Sequence, residues 1–303
     1  MNAELLDAGR PETLHPITCT RDLAACPVAN RPLADIQRER LARAGLALTA
    51  TGANSLFVRG DAWLSTATLA ACAARPGTWS LIDAKKDLLA WSGPRTGVPS
   101  AAPAFLADAD SFRIRYPWDL LRVNEQLLAA LTESRIDGSV HAAAHLEGIL
   151  ILGPRSRLLP GVYVEGNVMI GADCKIGPNC FIRGNTSIGD RCHIGQSVEV
   201  KNSIIMNGTA IGHLSYCGDS VIGEEVNFGA GTICANFRHD GNNHRSMVGG
   251  VLVDTGLRKL GAILGDHVHT GIHTSIYPGR KIGPALMTRP GAVVQKDLIE
   301  TVG

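Results

Sequence analysis

Eight apolar residues stand at strict six-residue intervals: Val164, Ile170, Ile176, Ile182, Ile188, Ile194, Val200 and Met206. A six-residue apolar period fits neither an amphipathic helix nor an alternating strand. It marks a hexapeptide-repeat β-helix, in which each hexad supplies one short strand and a corner, three hexads close a triangular coil, and the repeat residue points inward. Successive coils then pair as parallel strands roughly 4.8 Å apart. Ile222 and Phe228 continue the ladder after one slip, and Leu264, Thr270, Ile276, Ile282, Thr288 and Val294 restart it in a second register. The glycines at 171, 177, 189, 195, 223, 229, 265, 271 and 283 each follow a repeat residue, at corners that need positive φ or a tight approach.

The pattern predicts a mainly β chain with a left-handed parallel β-helix over residues 136–303. A helix over 117–135 leads into it, and a polar, glycine-rich excursion at 237–261 interrupts it. The linking helix carries Leu120, Leu121, Val123, Leu127, Leu128 and Leu131, an apolar side to lie on a coil face. Residues 1–116 read differently. Helix-like stretches at 32–44 and 66–74 alternate with short apolar runs at 55–58 and 79–82, which predicts a small α/β unit.

A net charge of +1 with 19% charged residues leaves no basic stripe, so nucleic acid is not an expected partner. The eight cysteines are scattered without a CxxC pair, as small apolar residues of a reducing compartment. The opening MNAELLDAGRPET has no basic segment followed by an apolar one, and no apolar run is long enough to span a bilayer. These features predict a cytoplasmic chain without a membrane partner.

The segment GRPETLHPITCTRDLAACPVANRPL, residues 9–33, resembles the opening of the sugar-1-phosphate nucleotidylyltransferases, and Gly60-Asp61 resembles that family's metal-binding Gly-Asp. Pro11 stands where the second loop glycine would be, Thr13 replaces the phosphate-holding Arg, and Leu23 replaces the Lys. A proline removes a donor and fixes φ, so the turn loses its phosphate cradle. The resemblance therefore implies a truncated, degenerate nucleotidylyltransferase-like domain that has lost nucleotidyl transfer.

The run GHLSYCGDSVIGEEVNFGAGTICANF, residues 212–237, is similar to the glucosamine-1-phosphate N-acetyltransferase domain of bifunctional nucleotide-sugar enzymes. RKLGAILGDHVHTGIHTSIYPGRKIG, residues 258–283, resembles the archaeal version. The resemblance implies direct acetyl transfer from acetyl-CoA, as co-substrate and without a metal, to an amino-sugar phosphate of the glucosamine-1-phosphate type. A His suits the removal of the amine's proton near pH 7. By resemblance His213 is the base, placed at the register slip, and Glu199 is the acid that orients it by a hydrogen bond from a neighbouring coil.

Arg183 and Lys201 stand eighteen residues apart, one full coil, and fall on the family's phosphate-contacting positions; a fork and a point charge suit a phosphate. Tyr216 and Asn227 match sugar-contacting positions, and Asn236 matches one between acceptor and donor. His244 stands where the family has a further phosphate-binding Lys, with Arg238 and Arg245 close in sequence to restore charge. Ala230, Ile272 and Pro290 match donor-contacting positions, where coenzyme A is held mostly by main chain. The resemblance also implies a homotrimer with sites between subunits. With Val294 so near Gly303, the coenzyme-covering arm of the bacterial enzymes is expected to be missing.

Two other classes share the scaffold. A γ-type carbonic anhydrase needs three convergent His ligands, and His239, His244, His267, His269 and His273 are the candidates, without whole-coil spacing. A non-catalytic regulatory or scaffolding paralogue, paired with an active nucleotidylyltransferase, needs no base and no phosphate clamp.

Overall fold

The computed structural model describes residues 1–48, 55–98 and 100–299. The chain forms two compact units, one of Met1–Pro11, Arg21–Cys26 and Arg31–Arg115, the other of Glu12–Thr20, Pro27–Asn30 and Tyr116–Gly303. The main division falls between Arg115 and Tyr116, and two short stretches before it go with the second unit. Polar bonds explain why. The Thr20 hydroxyl donates to the Asp266 carboxylate, the Asn30 side-chain amide donates to the Ile188 carbonyl at 2.7 Å, and the Ala29 N–H donates to the Asn124 side chain at 2.9 Å.

In the first unit, helices α1 (Leu33–Arg43) and α2 (Thr66–Ala74) accompany a five-stranded sheet ordered Ala3–Leu5, Ser55–Val58, Leu88–Gly93, Trp79–Ile82, Ala104–Leu106. The outer pairings are parallel and the two central ones antiparallel. Ser65 starts α2 by accepting the Thr68 N–H at 3.0 Å, satisfying one of the amides a helix start leaves open. Leu56, Phe57, Trp79, Leu81 and Leu89 are fully enclosed.

The second unit is a parallel β-solenoid of about nine turns. Its first face stacks the end of Tyr163–Ile170 with Thr186–Ile188, Ile204–Ile205, Val221–Ile222, Ile263–Leu264 and Lys281–Ile282. Its second stacks the start of Tyr163–Ile170 with Phe181–Arg183, Glu199–Lys201, Tyr216–Gly218, Ile233–Cys234, Ser275–Ile276 and Val293–Val294. Its third runs from Ser139–Val140 through His193–Gln196 and Ala210–His213 to Asn227–Phe228.

The interior ladder follows the six-residue period as far as Val200, where the next interior residue is Ile205. Ile205, rather than Met206, aligns with Ile188 and Ile222 and joins the enclosed column. The shortening recurs between Cys217 and Ile222, so two successive coils each lack one residue at the corner joining the second face to the first. His213 consequently lies in a regular stretch, Ile211 to Cys217, and not at the slip. The excursion leaves from that same corner after Asn236, folds into the antiparallel hairpin Arg245–Val248 and Val251–Asp254, and returns where the Leu260 N–H meets the Asn236 carbonyl at 3.0 Å.

The corner glycines serve close approach: a Cβ on Gly195 would stand 1.9 Å from the Gly212 oxygen. Left-handed corner φ falls instead mainly to residues such as Asn202 and Asp219. Helix α3 (Pro117–Ala129) packs Trp118, Leu120, Val123 and Leu128 inward on the first face. Ser187, Ile204, Val221 and Lys281, outside the ladder on that face, are accordingly buried. The second and third faces carry exposed side chains.

Ile182 is fully enclosed between Val164 and Val200. Ile182→Ala is expected to cost about 2–5 kcal/mol, through lost burial and a cavity the stacked coils cannot collapse, measured by urea unfolding. A loss below about 0.5 kcal/mol, the range of ordinary surface substitutions, would contradict a close-packed interior.

Candidate functional site

Along the second face, alternation turns Arg183, Glu199, Lys201 and Tyr216 outward while Ile182, Val200 and Cys217 point in. Arg183 lies directly opposite Lys201 on the next coil, as the eighteen-residue spacing predicts. Glu199 accepts from Arg183 Nε at 2.9 Å and Nη2 at 2.7 Å. Lys201, only 9% exposed, sits 3.2 Å from the Asp219 carboxylate. Burying an ammonium requires such a partner. Asp219, missed in the sequence, also accepts from the Asn236 amide at 2.5 Å and from the Asn202 amide at 3.3 Å. The signal was present: its place in the shortened corner aligns it with Asn202 and sets it beside Lys201.

Asn236 donates as well to the Tyr216 hydroxyl at 2.9 Å, so one side-chain amide ties the mouth of the excursion to the second face. Burial and the nearby Asp219 carboxylate push the Tyr216 phenol up to about 12, which keeps it protonated and able to donate. Arg183, Glu199, Lys201, Tyr216, Asp219 and Asn236 thus form one continuous polar patch. Asn227 is not part of it. Its strand stacks on Ala210 and His269 of the third face.

His213 is exposed at the corner between the third and second faces, opposite Gln196. The expected hydrogen bond from the His213 ring to the Glu199 carboxylate is not formed among the described residues. Glu199 instead turns to Arg183, whose Nε and Nη2 both donate to its Oε1 at 2.9 and 2.7 Å. Above His213 the same corner continues through Ala230, Ile272 and Pro290. The Gly231 N–H donates to the His213 carbonyl at 3.1 Å, His273 N–H to Ala230 at 2.8 Å, and Gly291 N–H to Ile272 at 2.8 Å. The Ala230 and Ile272 amides have no partner among the described residues, so the column presents open N–H donors. Cys217, near His213 in sequence, is enclosed in the coil.

His244 corrects its assignment as a phosphate ligand. It is 1% exposed, and its Nε2 donates to the Asn236 carbonyl at 3.0 Å. The ring closes the base of the excursion and faces no open space. Burial is the largest influence on it and holds its pKa below the ordinary value, as burial together with Lys175 and His213 does for His193.

In the first unit both oxygens of Asp61 are taken by guanidiniums, Arg59 at 2.8 and 2.9 Å and Arg113 at 2.8 Å. Burial raises its pKa, but the two arginines outweigh that and hold the carboxyl below the usual range. A carboxylate so committed is a structural clamp. Leu23, at the position of the nucleotidylyltransferase Lys, is buried in the core. Among the described residues no three His, Cys, Asp or Glu side chains converge as metal ligands, and no helix is long and apolar enough to cross a membrane.

Residues 164–285 match the family model of the GMPPB C-terminal domain. The chain is 46% identical over 182 residues to a bifunctional sugar-1-phosphate nucleotidylyltransferase/acetyltransferase of Sulfurisphaera tokodaii, covering 60% of this chain and 45% of that protein. It is 42% identical over 185 residues to the bifunctional protein GlmU of Methanococcus maripaludis strain S2, covering 61% of this chain and 44% of that one. The chain thus spans less than half the length of the curated relatives it matches, and those homologues match about 60% of it, its C-terminal part. The solved structure of the polySia-specific acetyltransferase NeuO aligns at 18% identity over 55% of this chain and 77% of that one, with a TM-score of 0.21.

The buried His244 has a pH signature. An unfolded His protonates near pH 6.5, whereas the folded ring resists protonation to lower pH. Between those two values the unfolded state binds more protons, so stability rises with pH there. It is fully present above about pH 6.5 and is lost as pH falls through the folded value. Urea midpoints should drop between pH 7.5 and pH 5.5, by less in His244→Asn. An equal drop in the variant would contradict the buried, neutral ring.

Proposed function

We propose that the chain is an acyltransferase that moves an acetyl group from coenzyme A to the amine of an amino-sugar phosphate, of the glucosamine-1-phosphate type. The observation that carries this reading is the adjacency of two features. An outward polar patch with one half-exposed guanidinium borders a corner on which an exposed His213 continues into open main-chain donors. The likeness to the bifunctional relatives supports it over the stretch they share.

Acetyl-CoA as co-substrate supplies the thioester carbon that the amine attacks; the C–N bond forms as the C–S bond breaks, and coenzyme A leaves as a thiolate that takes up a proton to become the free thiol. An ammonium has no lone pair, so the acceptor nitrogen must lose a proton, and His213 accepts it at a ring nitrogen open to solvent. The Ala230 and Ile272 amides, together with the main chain at Pro290, hold the donor, and one such N–H stabilises the oxygen that becomes anionic. Arg183 and Lys201 attract the acceptor phosphate. Arg183 is the accessible member, with 32% of its side chain exposed against 11% for Lys201. Tyr216 and Asn236 hydrogen-bond the sugar. Glu199 acts here as the carboxylate that aims Arg183, so it positions the clamp instead of the base. Asn227, on another face, joins the site when a neighbouring copy in a homotrimer supplies it.

The first unit, with Asp61 clamped and Leu23 in the core, serves as a packing or docking module that has lost nucleotidyl transfer. A second reading, a non-catalytic partner of a nucleotidylyltransferase, is favoured by one observation: Glu199 and Asp219 already neutralise Arg183 and Lys201.

Release of coenzyme A thiol with glucosamine-1-phosphate, galactosamine-1-phosphate and amino-sugar nucleotides separates the two readings. Turnover with one phosphorylated amino sugar is expected. His213→Ala should lower kcat by about 10²–10⁴-fold, the usual worth of a general base, and Arg183→Gln should act mainly by raising KM. Turnover unchanged in His213→Ala, or none with any acceptor, would overturn the acetyl-transfer reading.

A further inference from the structure

A second concentration of charge lies on the excursion, around a cavity of about 700 Å³ lined by Arg238, Gly241, Asn242, Asn243, Arg245, Leu252, Asp254 and Arg280. That volume is within the range of small-molecule sites. Three guanidiniums face it against one lining carboxylate, and Asn242 and Asn243 add neutral amides.

The arginines are held in ways that leave donors free. Arg280 gives Nε to the Pro278 carbonyl at 3.3 Å and Nη2 to the Arg245 carbonyl at 2.8 Å. Main-chain carbonyls fix two of its nitrogens, and the third, Nη1, stands in a loose ion pair 3.8 Å from the Asp297 carboxylate. Arg238 is offset by Asp240, through Nε at 2.9 Å and Nη2 at 2.5 Å, with Nη1 left over. The Arg245 guanidinium has no partner among the described residues. Arg258 adds a further cation at the rim, with Nε on the Gly241 carbonyl at 3.2 Å. The one lining acid, Asp254, caps its own turn by accepting the Gly256 N–H at 2.8 Å.

We propose that this cavity is a binding site for a diphosphate group, separate from the polar patch of the second face. The charge excess selects an anion. The spread of the remaining donors selects its size: the whole Arg245 guanidinium and the Nη1 groups left on Arg238 and Arg280 are three separate donor points, which two linked phosphates engage more fully than one. Free pyrophosphate, a nucleoside diphosphate and coenzyme A all carry the group, and they differ in what is attached to it.

The test is calorimetric titration of the full chain with pyrophosphate, orthophosphate, UDP and coenzyme A. Pyrophosphate is expected to bind at least tenfold more tightly than orthophosphate. Arg245→Gln should weaken pyrophosphate at least tenfold, Asp254→Asn should tighten it, and Arg155→Gln, at a surface arginine paired with Asp173, should leave it unchanged. A merely structural Asp254 would not give the tightening. Whichever of UDP and coenzyme A gains over pyrophosphate, with the gain lost in Arg245→Gln, identifies the source. If neither gains, the free ion is the ligand. No pyrophosphate binding at millimolar concentration, or binding lost in Arg183→Gln and kept in Arg245→Gln, would overturn the proposal. Neither result bears on acetyl transfer, which the thiol assay reads separately.

Discussion

Coil-on-coil stacking of the interior column is the constraint that positions every outward side chain of the solenoid. Val164, Ile182, Val200, Cys217, Cys234, Ile276 and Val294 align in one file along the second face. Since strand residues alternate, fixing that file fixes the residues beside it at one strand spacing per coil. Arg183 and Lys201 are neighbours because Ile182 and Val200 are. Each enclosed side chain of this size contributes about 1.5–3 kcal/mol relative to exposure, so the register is held far more firmly than any surface ion pair could hold it.

Where a coil loses a residue, the corner tightens and polar groups crowd together. The two short coils bring Asn202 and Asp219 to the corner beside Lys201, and the excursion opens from the next coil at the same corner. Asn236 and His244 then fasten the excursion, the first by its side chain to Tyr216 and Asp219, the second through the Asn236 carbonyl. The polar patch is therefore a product of local departures from the repeat, built on a scaffold that is otherwise regular.

Much of this was legible in the sequence, because period and burial are the same physical fact in a solenoid. The β-helix, the stacking of Arg183 on Lys201, the run of α2 and the emergence of the excursion near 237 all follow from spacing. What spacing cannot report is competition for partners. Glu199 lies within reach of a neighbouring coil, and its choice of Arg183 over His213 depends on side-chain geometry. Met206 satisfied the six-residue count, yet Ile205 took the interior place because the corner shortened by one. A His in a polar, glycine-rich segment reads as a surface ligand, and only the fold shows His244 turned under the hairpin. The short stretches at Glu12–Thr20 and Pro27–Asn30 likewise join the second unit through hydrogen bonds, such as those of Thr20, Ala29 and Asn30, that carry no periodic signal.

The central claim is that this scaffold forms an amide bond at an amino sugar. Its most direct test is mass-spectrometric analysis of the acceptor after incubation of the purified chain with acetyl-CoA and glucosamine-1-phosphate or galactosamine-1-phosphate. An N-acetylated sugar phosphate, formed by the wild type and absent with His213→Ala, is the predicted result. Unmodified acceptors after full incubation with the folded wild type, or product formed equally by His213→Ala, would contradict it.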